Sequence, residues 1–120
     1  MSYMLMIVEP VGQRRERGLA GGQEAYQRMV RFGADLKERG LLVATESLAS
    51  TGEAVRLQVR EGRRKLVDGP FAEAKEMVGG FYLLSCKTRE EALEIAAQCP
   101  AAEWATVEVR RIAPCYDGAA

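Results

Sequence analysis

Apolar and polar residues along the chain follow two periods, one typical of strands and the other typical of helices. Residues 3–8 form a continuous apolar run, which predicts a strand buried on both faces. Residues 54–60 alternate between apolar and polar side chains and predict a strand with one face in water. Residues 23–39 carry apolar side chains at the spacing of an amphipathic helix, at Ala25, Met29, Phe32 and Leu36.

The remainder of the chain predicts a loop, a second helix and four more strands. Residues 11–22 are polar and contain four glycines, which predicts a mobile surface loop. Thr88 with Glu91 three residues later is a helix-capping pattern, and this helix would end at Pro100. Its buried stripe is predicted to consist of Ala92, Leu93, Ala96 and Cys99. Strands are also predicted at residues 41–47, 63–67, 77–86 and 106–112, with a tight turn at Glu61 and Gly62 before the second of these and a frayed end at residues 117–120.

This order of elements predicts a single α+β domain over residues 1–120. Two strand-helix-strand halves give a ferredoxin-like split βαβ sheet, and residues 54–67 form an inserted hairpin. Both helices would lie on one face of the sheet, which leaves the second face bare. A bare apolar face needs a partner surface, and the simplest partner is a second copy of the chain in a two-fold homodimer.

The charge balance and the cysteine content limit the classes of partner and the cellular compartment that we expect for this chain. The chain has 17 basic and 17 acidic residues, so its zero net charge gives no electrostatic reason to expect nucleic acid or membrane as a partner. The apolar run at residues 3–8 is too short for a signal peptide or a membrane span. The three cysteines have no C-x-x-C spacing, which argues against a disulfide framework and a zinc site. We therefore expect a cytoplasmic protein without metal or cofactor.

The chain contains no histidine. A Ser-His-Asp triad or a Cys-His pair is therefore excluded, and so is the most common proton carrier at neutral pH. Any general acid or base must be Asp, Glu, Lys, Tyr or Cys.

Two features in the first third of the chain each allow two interpretations. Arg14, Arg15 and Arg17 form either a grip for an anion or the solvated surface of a loop. Tyr26 points either at a ligand or into core or dimer packing. The basic residues of the hairpin, Arg60, Arg63, Arg64 and Lys65, are explained as charges that protect strand edges.

The segment of residues 68–76 collects the side chains best suited to chemistry. Asp68, Gly69 and Pro70 predict a turn in which the carboxylate accepts the following backbone N–H groups. Phe71 would anchor the turn in apolar surroundings. Glu73, Lys75 and Glu76 stay polar, so the turn is either part of a site or a plain strand crossover. Gly79 and Gly80 follow it and predict a bulge or a close backbone approach.

The same segment resembles the signature of the DGPF-type proteins of the YCII-related family. The matching residues are Asp68-Gly69-Pro70-Phe71 with Glu73, Lys75 and Glu76, and Ala74 departs from the Thr that is usual there. The flanks agree with this resemblance at Tyr3-Met4-Leu5, Glu46-Ser47-Leu48, Gly79-Gly80-Phe81-Tyr82 and Val107-Glu108-Val109-Arg110.

The resemblance implies a ferredoxin-like domain that pairs into a dimeric α/β barrel. A His–Asp pair proposed for the wider group cannot be carried over, because this chain has no histidine. Asp68, Lys75 and Glu46 match motif positions and are the candidate catalytic residues. The resemblance also implies a partner linked to sigma-factor regulation.

Three functional hypotheses follow. In the first, a cleft beside the turn binds a small molecule through Gly69, Pro70, Phe71, Glu73 and Glu76. In the second, the cleft is an active site that uses carboxylate and lysine acid-base chemistry. A variant of the second has no catalysis: the protein is an accessory of a sigma-factor system. In the third, the signature locks the dimer.

Overall fold

The computed structural model describes residues 2–116, and the predicted frayed end at residues 117–120 lies outside them. The fold is α+β with two helices and six strands in this range. The strands are β1 (Tyr3–Pro10), β2 (Leu42–Ser47), β3 (Val55–Arg60), β4 (Arg63–Asp68), β5 (Glu76–Leu84) and β6 (Thr106–Arg111). The helices are α1 (Gln13–Glu38) and α2 (Arg89–Gln98), and short 3₁₀ turns lie at Thr51–Glu53 and Pro100–Glu103.

Four strands form one sheet in the order β2-β5-β1-β6, in which every neighbouring pair is antiparallel. The two remaining strands, β3 and β4, pair only with each other. Within residues 2–116 the sheet stays open and closes no barrel. We call the β3–β4 hairpin the ribbon.

The core lies between one face of the four-stranded sheet and the two helices. Leu5 and Leu84 from the sheet, Leu36 from α1 and Ile95 from α2 are at most 1% exposed. Burying each of these side chains contributes about 1.5–3 kcal/mol to folding. The full cluster of buried residues is Tyr3, Leu5, Ile7, Phe32, Leu36, Tyr82, Leu84, Cys86, Ala92, Ile95, Ala96, Cys99 and Ala101.

The predicted loop at residues 11–22 is wrong, because α1 already begins at Gln13. Glycines lower helix propensity by about 1 kcal/mol each, which made this stretch look irregular. Contacts with distant residues outweigh that cost, as Gln13 Nε2 donates a 2.7 Å hydrogen bond to the Trp104 carbonyl. One of these glycines does disturb the helix, because Gly18 has a positive φ of 77° and interrupts α1 at that position.

Two predicted burial patterns also need correction. The strand predicted to be buried on both faces alternates in β1, where Tyr3, Leu5 and Ile7 are buried and the residues between them are half-buried. The cause is that both helices cover the same side of the sheet. In α2, Leu93 is 41% exposed, and Ile95 takes the core position instead.

Local turn and cap predictions are confirmed. Thr88 caps α2, as its Oγ1 accepts a 3.1 Å hydrogen bond from the backbone N–H of Glu91. Glu61 and Gly62 close the hairpin with φ angles of 52° and 75°, the left-handed geometry that a two-residue hairpin turn requires.

Candidate functional site

A buried ion pair holds the end of β1 against the start of α1. Glu9 continues the inward alternation of Tyr3, Leu5 and Ile7 and is only 6% exposed. Arg14 meets it with two hydrogen bonds, Nη2 to Oε1 at 2.8 Å and Nε to Oε2 at 3.0 Å. This bidentate geometry compensates the carboxylate for its loss of water.

Arg14 also reaches the neighbouring strand ends. Its Nη1 donates to the Leu48 carbonyl at 2.9 Å, and its Nη2 lies 3.4 Å from the Gly79 carbonyl. A Cβ at Gly79 would lie 1.8 Å from Glu9 Oε1, so only glycine leaves room for the pair. At Gly80 a Cβ would lie 2.9 Å from the Glu46 carbonyl. Both glycines thus serve the close approach that the sequence predicted.

The ion pair lies on the wall of a cavity between the first half of α1 and the adjoining ends of β1, β5 and β2. The cavity has a volume of about 700 Å³, which lies within the range of small-molecule pockets. The residues that line it include Arg15, Arg17, Tyr26, Glu46, Tyr82 and Trp104.

Arginines and one tryptophan give this cavity its chemistry. The guanidinium carbon of Arg17 lies 5.3 Å from the centroid of the Trp104 ring. Arg28 lies over the same ring at 5.5 Å, but Glu103 neutralises it through hydrogen bonds of 2.6 and 3.1 Å. No carboxylate of residues 2–116 forms an ion pair with Arg15 or Arg17. These two cations therefore face the cavity without a neutralising partner.

Tyr82 forms part of the cavity floor and is held on both sides. Its ring packs edge-to-face on Phe32 at 5.1 Å, and its hydroxyl donates a 2.8 Å hydrogen bond to the Met29 carbonyl. Burial, and to a lesser degree the nearby Cys99, raises the pKa of Tyr82 well above its usual range. The raised pKa favours the protonated phenol, which donates its hydrogen bond to the Met29 carbonyl.

The candidate catalytic residues do not converge on this cavity. Glu46 lies on its wall. Asp68, at the end of β4, and Lys75, just before β5, are exposed and are not among the residues that line it. Lys75 contributes its backbone instead, because its carbonyl accepts a 2.9 Å hydrogen bond from the Val11 N–H.

The predicted ligand-binding residues of the turn make contacts at the base of the ribbon. Gly69 donates its N–H to the Ala54 carbonyl at 2.7 Å. The buried Phe71 ring has the Arg56 guanidinium 3.6 Å from its centroid, and Arg56 also pairs with Glu73 at 3.3 Å. Pro70 and Glu76 are exposed, and none of the turn residues lines the cavity.

Comparison with known proteins identifies the family of this chain. The profile of the YCII-related domain matches residues 1–115. The chain belongs to the YCII-related family. The resemblance drawn from the turn at Asp68 is thereby confirmed at the level of the family. This YCII-related protein is also 40% identical over 78 residues to an uncharacterized protein of Rhizobium meliloti (strain 1021), and the alignment covers 63% of each chain.

Glu9 and Trp104 are two site residues of this YCII-related protein that were not predicted from the sequence. Glu9 was detectable, since it lies two residues after Ile7 and extends the inward face of an alternating strand. Trp104 is the only tryptophan of the chain, but no local pattern links it to Arg17.

Neither α1 nor α2, the helices of the part that the structure describes, combines the length and the apolar character that crossing a membrane requires.

Proposed function

We propose that this YCII-related protein binds a small organic anion with an apolar body in the cavity beneath α1. The observation that carries the proposal is that Arg17, whose guanidinium lies over the Trp104 ring, lines the same cavity as Arg15, and neither arginine has a carboxylate partner within residues 2–116. A guanidinium binds carboxylate and similar planar anions through paired hydrogen bonds. The indole ring of Trp104 and the phenol ring of Tyr26 offer flat apolar surfaces for the rest of the ligand.

Arg14 belongs to the frame of this site rather than to the ligand contacts. Its donors are already used by Glu9 and by the carbonyls of Leu48 and Gly79. The pair fixes the first turn of α1 and so positions Arg15 and Arg17 at the opening. Tyr26 is 55% exposed, which favours its interpretation as a ligand contact over core packing.

Fluorescence of the single tryptophan provides a direct test. Benzoate, phenylacetate and hexanoate serve as anionic probes, and benzyl alcohol serves as the uncharged counterpart of benzoate. We expect the anions to change Trp104 emission and to raise the melting temperature, because a ligand that binds only the folded state stabilises it. Benzyl alcohol should have a smaller effect, since it lacks the charge that Arg17 recognises.

Two arginine variants separate specific from general charge effects. Arg17→Gln should weaken benzoate binding about tenfold, the equivalent of losing one hydrogen bond to a charged group. Arg31→Gln is the matched control, because Arg31 is exposed on the same helix and does not line the cavity. The proposal fails if no anion perturbs Trp104 at millimolar concentration, or if the two variants bind benzoate equally well.

The catalytic alternative stays a prediction that rests on Glu46, the one candidate that lines the cavity. It requires a turnover reaction that Glu46→Gln abolishes and that Asp68→Asn and Lys75→Met also impair. Ligand binding without turnover, unchanged by Asp68→Asn, favours the binding function instead.

Assembly into a ferredoxin-like, face-to-face homodimer is part of the proposal. The strand order β2-β5-β1-β6, with α1 and α2 as crossovers, supports the ferredoxin-like arrangement. The sheet face opposite the helices carries half-buried apolar side chains, and no described helix covers it. These side chains are Met4, Met6, Val8, Phe81 and Leu83.

Met6→Glu, at the centre of that face, should dissociate the dimer in sedimentation velocity. Lys37→Glu, a charge change of two units against one for Met6→Glu, lies on the exposed side of α1 and should leave the dimer intact. A monomeric wild type at every concentration contradicts the dimer but leaves the cavity proposal standing.

A further inference from the structure

Two arginines lie over the ring of the single tryptophan, and each is held by a different kind of partner. The guanidinium carbon of Arg17 is 5.3 Å from the centroid of the Trp104 ring, and that of Arg28 is 5.5 Å from it. The Glu103 carboxylate accepts two hydrogen bonds from Arg28, at 3.1 Å from Nη1 and 2.6 Å from Nη2. Arg17 instead donates from its Nη2 to the amide oxygen of Gln13 at 3.0 Å. The two cations therefore share one ring but differ in the charge of their partner.

Gln13 is held in turn by the segment that carries the tryptophan. Its Nε2 donates a 2.7 Å hydrogen bond to the Trp104 carbonyl. A backbone carbonyl only accepts hydrogen bonds and a guanidinium only donates them, so the two ends of one amide satisfy both groups. These two bonds connect the Arg17 guanidinium to the backbone of the residue whose ring it covers. Gln13 is half-buried and does not itself line the cavity, so it acts through Arg17 and is a positioning residue.

The charge of each partner decides whether the charge of the arginine stays available to a ligand. The hydrogen bonds from Arg28 lower the pKa of Glu103, which keeps this carboxylate ionised and able to cancel the guanidinium charge. An amide has no net charge, so Gln13 leaves Arg17 fully cationic. Within residues 2–116 no carboxylate forms an ion pair with Arg17. A ligand that enters the cavity thus meets an oriented cation and displaces no competing carboxylate.

We infer that Gln13 sets the charge preference of the cavity, so that the cavity selects an anion over an uncharged compound of the same shape. The inference rests on the proposed function and deepens it, because it assigns the selectivity to one neutral side chain outside the cavity wall. Exchange of this amide for a carboxylate would give Arg17 the kind of partner that Arg28 already has.

Binding of benzoate and of benzyl alcohol to Gln13→Glu tests this selectivity. The variant places a carboxylate against Arg17, so benzoate binding should weaken about tenfold or more, as the loss of an interaction with a charged group does. Benzyl alcohol carries no charge and should bind the variant and the wild type equally, whereas a purely structural role of Gln13 would weaken both ligands alike. Gln58→Glu is the matched control, because it makes the same change in charge at an exposed residue outside the cavity, and it should bind benzoate as the wild type does.

Quenching of Trp104 fluorescence measures the charge beside the ring without any ligand. Iodide is an anionic quencher and acrylamide is a neutral one, so the ratio of their Stern–Volmer constants reports the local charge. At an ionic strength of about 0.1 M, Gln13→Glu should lower this ratio about twofold, the effect of one added unit charge near the ring.

The converse variant is Glu103→Gln, which gives Arg28 an amide partner like that of Arg17. It should raise the ratio of the iodide constant to the acrylamide constant by a similar factor, about twofold. Glu103 is exposed, so this variant decides the inference even where Gln13→Glu fails to fold. Glu38→Gln makes the same change at an exposed residue near the end of α1 and should leave the ratio unchanged.

Two outcomes would overturn the inference. One is a Gln13→Glu variant, folded by circular dichroism, that binds benzoate as tightly as the wild type or loses benzoate and benzyl alcohol to the same degree. The other is a ratio of quenching constants that is the same in the wild type and in Glu103→Gln. Either result leaves the proposed anion site standing as long as the wild type binds benzoate. A wild type that binds none of the anions rejects the proposed ligand class instead, and the quenching ratios then decide by themselves whether Gln13 leaves Arg17 charged.

Discussion

Replacing Gly69 by alanine tests whether the signature turn holds the ribbon in place. A Cβ at Gly69 would lie 1.8 Å from the carbonyl oxygen of Thr51 and 2.9 Å from its carbonyl carbon. Both atoms belong to the backbone, so no side chain can rotate away to relieve the overlap. The two segments must move apart by roughly 1.6 Å to reach ordinary van der Waals contact, which also breaks the 2.7 Å hydrogen bond from Gly69 to Ala54.

The expected cost combines three terms. Overpacking of this kind costs about 1–3 kcal/mol, and the lost hydrogen bond adds about 0.5–1.5 kcal/mol. Alanine has less conformational freedom than glycine in the unfolded chain, which offsets about 0.4–1 kcal/mol of this loss of stability. We therefore expect Gly69→Ala to lower the free energy of unfolding by about 2 kcal/mol, which for a chain of this length lowers the melting temperature by about 8 °C.

Thermal unfolding followed by circular dichroism measures this effect. Gly22→Ala is the matched control, because a Cβ at Gly22 meets nothing within 4 Å and the residue lies in α1. The control should leave the melting temperature unchanged or raise it slightly. Equal melting temperatures for Gly69→Ala and Gly22→Ala would refute the structural role that we assign to the turn.

Three further predictions concern the turn and the cysteines. Arg56→Ala should lower the free energy of unfolding by about 1 kcal/mol in urea titration through loss of the Phe71 contact, and Arg56→Lys should not fully restore it; equal stability of all three proteins would contradict this. In the native protein a thiol reagent should modify the exposed Cys115 but not the buried Cys86 and Cys99, and fast modification of all three would count against the packing of α2. Burial raises the pKa of Cys86 and Cys99, so these thiols lose their protons at lower pH in the unfolded chain than in the folded one. The free energy of unfolding should therefore fall as the pH rises above the ordinary thiol pKa of 9.0. A urea midpoint that stays constant from pH 8 to about 10 would contradict this prediction.

The candidate site shows where sequence reasoning stopped. The arginine cluster and Tyr26 were recognised as possible ligand contacts, and both line the cavity. The aromatic partner of Arg17 could not be predicted, because Trp104 comes from a segment far away in the sequence. Asp68 and Lys75 were grouped with Glu46 because all three match a family pattern, but a shared pattern does not require a shared pocket.

The sequence by itself determined the local elements and the family. Hydrophobic period, the cap at Thr88 and the turn at Glu61 and Gly62 depend on neighbouring residues, so one-dimensional order is sufficient to predict them. The absence of histidine likewise limited the chemistry without any coordinates.

Tertiary structure decided the start of α1, the pairing of Glu9 with Arg14 and the cavity. Residues 13–22 are helical in spite of their glycines because Gln13 and Arg14 bond to residues that the chain brings close only after it has folded. Such contacts contribute more than local propensity does, and their partners depend on the path of the whole chain. The exposure of Leu57 and Leu66 in the ribbon is a feature of the same kind, since alternation predicts a strand face but not whether anything covers it.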